Sequence, residues 1–179
     1  MRYSECVDLL LSRLDASQGA WVLTLNLEIL SNARLHADYR ELVQSADIVL
    51  ADGMPFVWAS SIKRGAHRIP ERTTGADISA DLILRYPASK IAIIGGENPP
   101  KALEALKIEH RNEAFVFDGS VSTDPEVVQK LIADVRAHGA RLIFMALGVP
   151  KQDYLAAEFR KEIPEAVILG VGGTFELIA

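Results

Sequence analysis

The residues best placed to do chemistry sit where short apolar runs stop. Ile48-Val49-Leu50-Ala51 ends on Asp52-Gly53, and Ala20-Trp21-Val22-Leu23-Thr24-Leu25 ends on Asn26. Ile91-Ala92-Ile93-Ile94 ends on Gly95-Gly96, and Leu142-Ile143-Phe144-Met145-Ala146 runs into Gly148-Val149-Pro150-Lys151-Gln152. In an open parallel sheet the carboxyl ends of the strands share one edge, and ligands bind there. Four polar or glycine-rich turns on one edge therefore describe a crevice with a carboxylate, Asp52, inside it. Each turn also has a plain structural use, since Asn and Asp after strands cap helices and glycines make turns.

The chemistry these groups offer is that of anions and proton transfer. Gly95-Gly96 before a helix lets backbone N–H groups approach a phosphate, which the helix N-terminus favours. Lys151 opens a helix, where the dipole disfavours a cation; it either meets an anion or is simply solvated. Arg68, Glu71 and Arg72 share a loop with Pro70, Thr73 and Thr74. That loop is either a bidentate phosphate contact or a surface with local ion pairs. His36, His67, His110 and His138 lack metal-ligand spacing, and no DxD pair is present to hold a divalent ion, so no metal is expected. GxGxxG, GxxxxGK[ST] and GxSxG are absent, which argues against dinucleotide, P-loop and α/β-hydrolase readings.

The elements that must position these groups follow from pattern. Val7, Leu10, Leu11 and Leu14 line one face of a helix over residues 4–14, with Ser4 as its cap. Helices are also predicted over 27–33, from Asp38 to Ser45, from Pro55 to Lys63, from Ala76 to Tyr86, and from Pro99-Pro100 to Lys107. Two more run from Thr123-Asp124-Pro125-Glu126 to His138, where Gly139 stops the helix, and from Lys151 to Lys161. Phe115-Val116-Phe117 and Val167-Ile168-Leu169 complete six strands, the last followed by Gly170-Val171-Gly172-Gly173. Apolar strands alternating with helices imply an α/β fold: one Rossmann-like domain, its parallel sheet covered on both faces.

Bulk properties narrow the function. A chain of 179 residues suits one domain with a substantial core. A formal charge of −5 argues against nucleic acid as a main partner. The single cysteine, Cys6, excludes an internal disulfide framework and suits a reducing compartment. The amino terminus reads as an amphipathic helix and not as a signal peptide, and no run approaches the roughly 18 apolar residues of a membrane span.

Six ordered motifs carry a family resemblance. They are Thr24-Leu25-Asn26, Ala51-Asp52-Gly53-Met54, Pro70-Glu71-Arg72-Thr73-Thr74-Gly75-Ala76-Asp77, Gly95-Gly96, Gly148-Val149-Pro150-Lys151-Gln152-Asp153 and Gly170-Val171-Gly172-Gly173-Thr174-Phe175-Glu176. Together, over nearly the whole chain, they resemble the WecG/TagA/CpsF glycosyltransferases. The resemblance implies a metal-independent, inverting enzyme with no cofactor. It would move N-acetylmannosamine or a related sugar from UDP to a polyprenyl-diphosphate-linked saccharide. The products serve wall teichoic acid, enterobacterial common antigen, capsule or exopolysaccharide. The expected place is the cytoplasm, peripheral at the inner face of the cell membrane.

By the same resemblance Asp52 is the general base, and Thr24 and Asn26 orient that base or the sugar. Arg72 binds a diphosphate, and Gln152 holds the donor sugar or its diphosphate. Gly53, Gly95, Gly96, Gly119, Gly148, Lys151 and Gly172 would contribute to substrate binding, with Glu176 at the uracil. Three departures stand out. Glu176 replaces the family's aspartate, and Asp118-Gly119-Ser120 replaces a frequent His-Gly-Tyr, removing a ring that could stack on uracil. The chain also stops at Thr174-Phe175-Glu176-Leu177-Ile178-Ala179, before the family's basic, aromatic-containing appendage. The expectation is therefore a catalytic core that is weak alone, its apolar end covered by an oligomer or by the appendage. A non-catalytic module that binds a nucleotide sugar or serves assembly is the competing reading.

Overall fold

The computed structural model describes residues 2–62, 68–87, 90–96, 104, 113–117 and 121–172. Its strands are β1 (Ala20–Leu25), β2 (Ile48–Ala51), β3 (Ile91–Gly95), β4 (Phe115–Phe117), β5 (Leu142–Ala146) and β6 (Val167–Gly170). They form one sheet in the order β2-β1-β6-β5-β3-β4, and every pair is parallel. The expected α/β architecture is the one observed. Seven described helices accompany it: α1 (Tyr3–Asp15), α2 (Leu27–Leu35), α3 (Ala37–Gln44), α4 (Met54–Ile62), α5 (Gly75–Arg85), α6 (Pro125–His138) and α7 (Lys151–Glu162). The helix expected from Pro99 to Lys107 lies outside the described residues, apart from Glu104.

Alternation along each strand builds two cores. Val22, Ile93, Phe144 and Leu169 face α1 and α5, whereas Trp21, Ile94, Met145 and Ile168 face α2, α3, α6 and α7. Burial on both faces is why the strands read as unbroken apolar runs. The faces also follow from handedness. Connections from β1 to β2, β4 to β5 and β5 to β6 all step the same way across the sheet, and their helices lie on one face. The β2-to-β3 connection steps the other way and places α5 on the opposite face, as right-handed crossovers demand.

Some helix starts differ from expectation by a residue or two. Ser4 is the second residue of α1; the cap is Arg2, whose N–H donates to the Glu5 carboxylate at 2.8 Å. Asp38 falls inside the first turn of α3, behind His36. For α6 the cap is Asp124, whose Oδ1 accepts from the Glu126 N–H at 2.9 Å, and Thr123 is outside. Adjacent Thr and Asp are both good caps, and Pro125 at the first turn selects the residue just before it.

Candidate active site

The carboxyl ends of β2, β1 and β6 open onto a cleft of about 690 Å³. Its lining includes Thr24, Asn26, Asp52, Arg72, Gly148, Gln152 and Gly172 among the residues singled out by sequence. Glu28, Thr74, Ala76, Asp77, Val149 and Val171 complete it. Helices α2, α5 and α7 all begin at this cleft. Three helix N-termini converging on one space favour a bound anion.

Asp52 is held by the ladder that precedes it. Its N–H donates to the Leu25 carbonyl at 2.9 Å, continuing the β1–β2 pairing one residue past the strand. On the outer edge of β2 the Ala51 carbonyl accepts from the Thr73 N–H at 3.1 Å. The 68–74 loop therefore lies along an otherwise open strand edge, which sets Arg72 beside Asp52. Burial pushes the Asp52 carboxyl above its ordinary range. Arg72 opposes that rise, Asp77 adds to it, and a hydrogen bond from the Gly75 backbone opposes it more weakly. Among the described residues that line the cleft, Arg72 is the one cation.

Several polar groups are already committed within the protein. The Thr24 hydroxyl donates to the Gly170 carbonyl at 2.8 Å and is buried. Asn26 caps α2, its Oδ1 accepting from the Ile29 N–H at 2.9 Å. Gln152 is 3% exposed, and its Oε1 accepts from the Gly172 N–H at 3.4 Å. Thr74 caps α5 and donates to Asp77 Oδ2 at 2.6 Å, while the Asp77 N–H returns a bond to Thr74 at 3.1 Å. Asp77 was legible as the third residue of a Thr-x-x-Asp cap, though nothing in the pattern said that this cap faces Asp52.

Gly53, Gly95, Gly96 and Lys151 do not line this cleft. Gly95 ends β3 and Gly96 follows it, three strands from β1, or roughly 14 Å across the sheet. Lys151 instead faces a second cavity of about 460 Å³ between α6 and α7, where Val121, Val128, Tyr154 and Leu155 make a mainly apolar wall. Glu158, the other charged residue there, pairs with Lys161 at 2.8 Å. Gly119 and Glu176 lie outside the described residues. Among the described residues no three His, Cys, Asp or Glu side chains gather where they could hold a metal ion.

What the main cleft can do follows from this inventory. It presents three carboxylates, of which Asp52 is half-buried with its proton affinity raised, together with one guanidinium, the side-chain amides of Asn26 and Gln152, and converging helix N-termini. Those groups suit removing a proton from a hydroxyl beside a bound diphosphate.

The profile of the glycosyl transferase WecG/TagA/CpsF family matches residues 1–179. An N-acetylglucosaminyldiphosphoundecaprenol N-acetyl-beta-D-mannosaminyltransferase from Bacillus spizizenii is 28% identical over 173 residues. That match takes in 93% of this chain but only 65% of the relative's length.

Proposed function

Because the chain belongs to the WecG/TagA/CpsF glycosyl transferase family, we propose that its cleft performs an inverting sugar transfer. The donor in this reading is a UDP-sugar carrying N-acetylmannosamine or a close relative. The acceptor is a polyprenyl-diphosphate-linked saccharide, the chemistry carried in the name of the Bacillus relative. The protein works at a membrane surface because its acceptor is a lipid, and the product belongs to a bacterial cell-surface polysaccharide.

The observation that carries the reading is Asp52, with its raised affinity for a proton, beside Arg72 at the mouth of three helix N-termini. The acceptor hydroxyl gives its proton to the Asp52 carboxylate as its oxygen bonds to the anomeric carbon. The bond from that carbon to the UDP oxygen breaks on the opposite face, which inverts the centre. The leaving diphosphate carries the charge away from the sugar, and Arg72 together with the helix N-termini offsets it. Gln152 lines the cleft with its Oε1 accepting from the Gly172 N–H, and in this reading it contacts the donor.

Asp52→Asn tests the reading. With a UDP-sugar and a short-chain lipid-diphosphate acceptor, the variant should lose transfer by roughly 10²- to 10⁴-fold while still binding UDP. A parent chain that binds UDP but transfers nothing would instead favour a binding or assembly module.

A further inference from the structure

Helix α4 departs from the rule the other described helices obey. Each of those buries part of one face, but α4 buries no residue at all. Its sequence, MPFVWASSI, contains no charged side chain. Its two serines each donate to a carbonyl of their own helix, Ser60 to Val57 at 2.8 Å and Ser61 to Trp58 at 2.7 Å. The large side chains left outside are all apolar. Met54, Trp58 and Ile62 are 41%, 62% and 84% exposed, and their four-residue spacing puts them in one stripe. A helix that is apolar all round belongs in a core or in lipid.

Position and charge say what covers it. The stripe starts two residues after Asp52, at the rim of the cleft, and Leu27 at the start of α2 is exposed on the same rim. Nine residues are far too few to span a bilayer but enough to lie in its interface, where tryptophan is favoured. The chain continues directly into Lys63 and Arg64, with Arg68 close behind, a charge pattern suited to anionic headgroups. Three such side chains present on the order of 300 Å², well short of the roughly 800 Å² per partner of a stable protein interface.

We infer that α4 docks the chain on an anionic lipid bilayer, with Met54, Trp58 and Ile62 inserted at the level of the first acyl carbons. The inference rests on the transferase reading for its purpose: a polyprenyl diphosphate resides in that bilayer, and α4 brings Asp52 down to its diphosphate.

Two tryptophans make the test direct, because Trp21 is 1% exposed in the core and Trp58 lies on α4. With vesicles of equal parts phosphatidylglycerol and phosphatidylcholine, emission should shift to the blue and be quenched by lipids brominated on their acyl chains. Trp58→Phe should abolish both signals. The triple variant Met54→Ser, Trp58→Ser, Ile62→Ser should lower vesicle partitioning by at least about tenfold. An unresponsive parent overturns the inference, as does a triple variant that partitions like the parent. So does a parent dimer that shields Trp58 without lipid and that the triple variant dissociates. Transfer is read alongside, on a short water-soluble acceptor and on one held in vesicles. The triple variant should match the parent on the first and fall on the second. Absence of transfer by the parent on both acceptors counts against the transferase reading alone, since vesicle binding then still decides the role of α4.

Discussion

The Thr24 hydroxyl donates its proton to the Gly170 carbonyl at 2.8 Å, tying the ends of β1 and β6 together at the floor of the cleft. The single proton of that hydroxyl is used, so towards a substrate Thr24 offers only an oxygen that accepts. Its methyl group is equally placed, since a Cβ added at Gly75 would lie 3.3 Å from Thr24 Cγ2. Thr24→Val keeps the shape and deletes the donor, and should cost about 1–2 kcal/mol in urea unfolding. Thr24→Ser keeps the donor, leaving only the lost methyl to be felt. Equal stability of Thr24→Val and the parent would show that the bond contributes nothing net.

The proton affinity of Asp52 is set by a contest that substitutions can tip. Burial and the Asp77 charge raise it, and Arg72 lowers it. A raised value means that the carboxylate becomes a competent base only at higher pH. Asp77→Asn removes a raising charge, so the acid limb of kcat/KM against pH should move to lower pH. Arg72→Ala removes the lowering charge and should move the limb upward while also reducing the rate. Limbs that stay put in both variants would assign that titration to another group.

How much of this was legible depended on whether a signal was local. The four central strands were, because burial on both faces gives each an apolar run; edge strand β2 keeps such a run although Val49 is 52% exposed, and Asp52 was legible because it ends that run. Arg72 was legible only as a loop cation; its place beside Asp52 comes from the Thr73 N–H pairing with Ala51 across a strand edge. Lys151 and Gln152 show the limit most clearly. Consecutive helix residues diverge by about 100°, so one of the pair faces the Asp52 cleft and the other cannot. Sequence offered no means of choosing between them, and packing of α7 against α3 and β6 made the choice. Asn26 carried two readings, cap and ligand, and its Oδ1 is spent on the cap.

Gly95 and Gly148 separate two costs of replacing glycine. Both have positive φ, +79° and +73°, so alanine pays a similar backbone strain of about 1–2 kcal/mol at each. At Gly148 a new Cβ meets nothing within 4 Å, and that strain is the whole cost. At Gly95 it would lie 2.4 Å from Leu147 Cδ2 and 2.7 Å from the Ala146 carbonyl oxygen, so backbone as well as side chain must move. Gly95→Ala should therefore be less stable than Gly148→Ala by a further 1–3 kcal/mol or so, read from paired thermal melts. Equal melting of the two would mean that β3 and β5 part at no cost.

Asp153 should make the fold weaken as the pH rises from acid towards neutral. Its carboxylate accepts from the Tyr39 hydroxyl and is 1% exposed. Burial pushes its pKa from 3.8 up to about 6, with Glu28 adding to the rise and the Tyr39 bond opposing it. The folded chain thus holds this proton more tightly than the unfolded one. The stabilisation is fully present below 3.8 and is lost as pH climbs through about 6. Two pH units correspond to on the order of 2 kcal/mol once the softness of a protein interior is allowed for. Asp153→Asn keeps an acceptor for Tyr39 and cannot ionise, so its urea midpoint should stay level across the window where the parent's falls. Tyr39→Phe removes the bond that favours the charged form, so the parent's decline should become steeper and extend to higher pH. If all three proteins decline in parallel, the titration belongs to a different buried group.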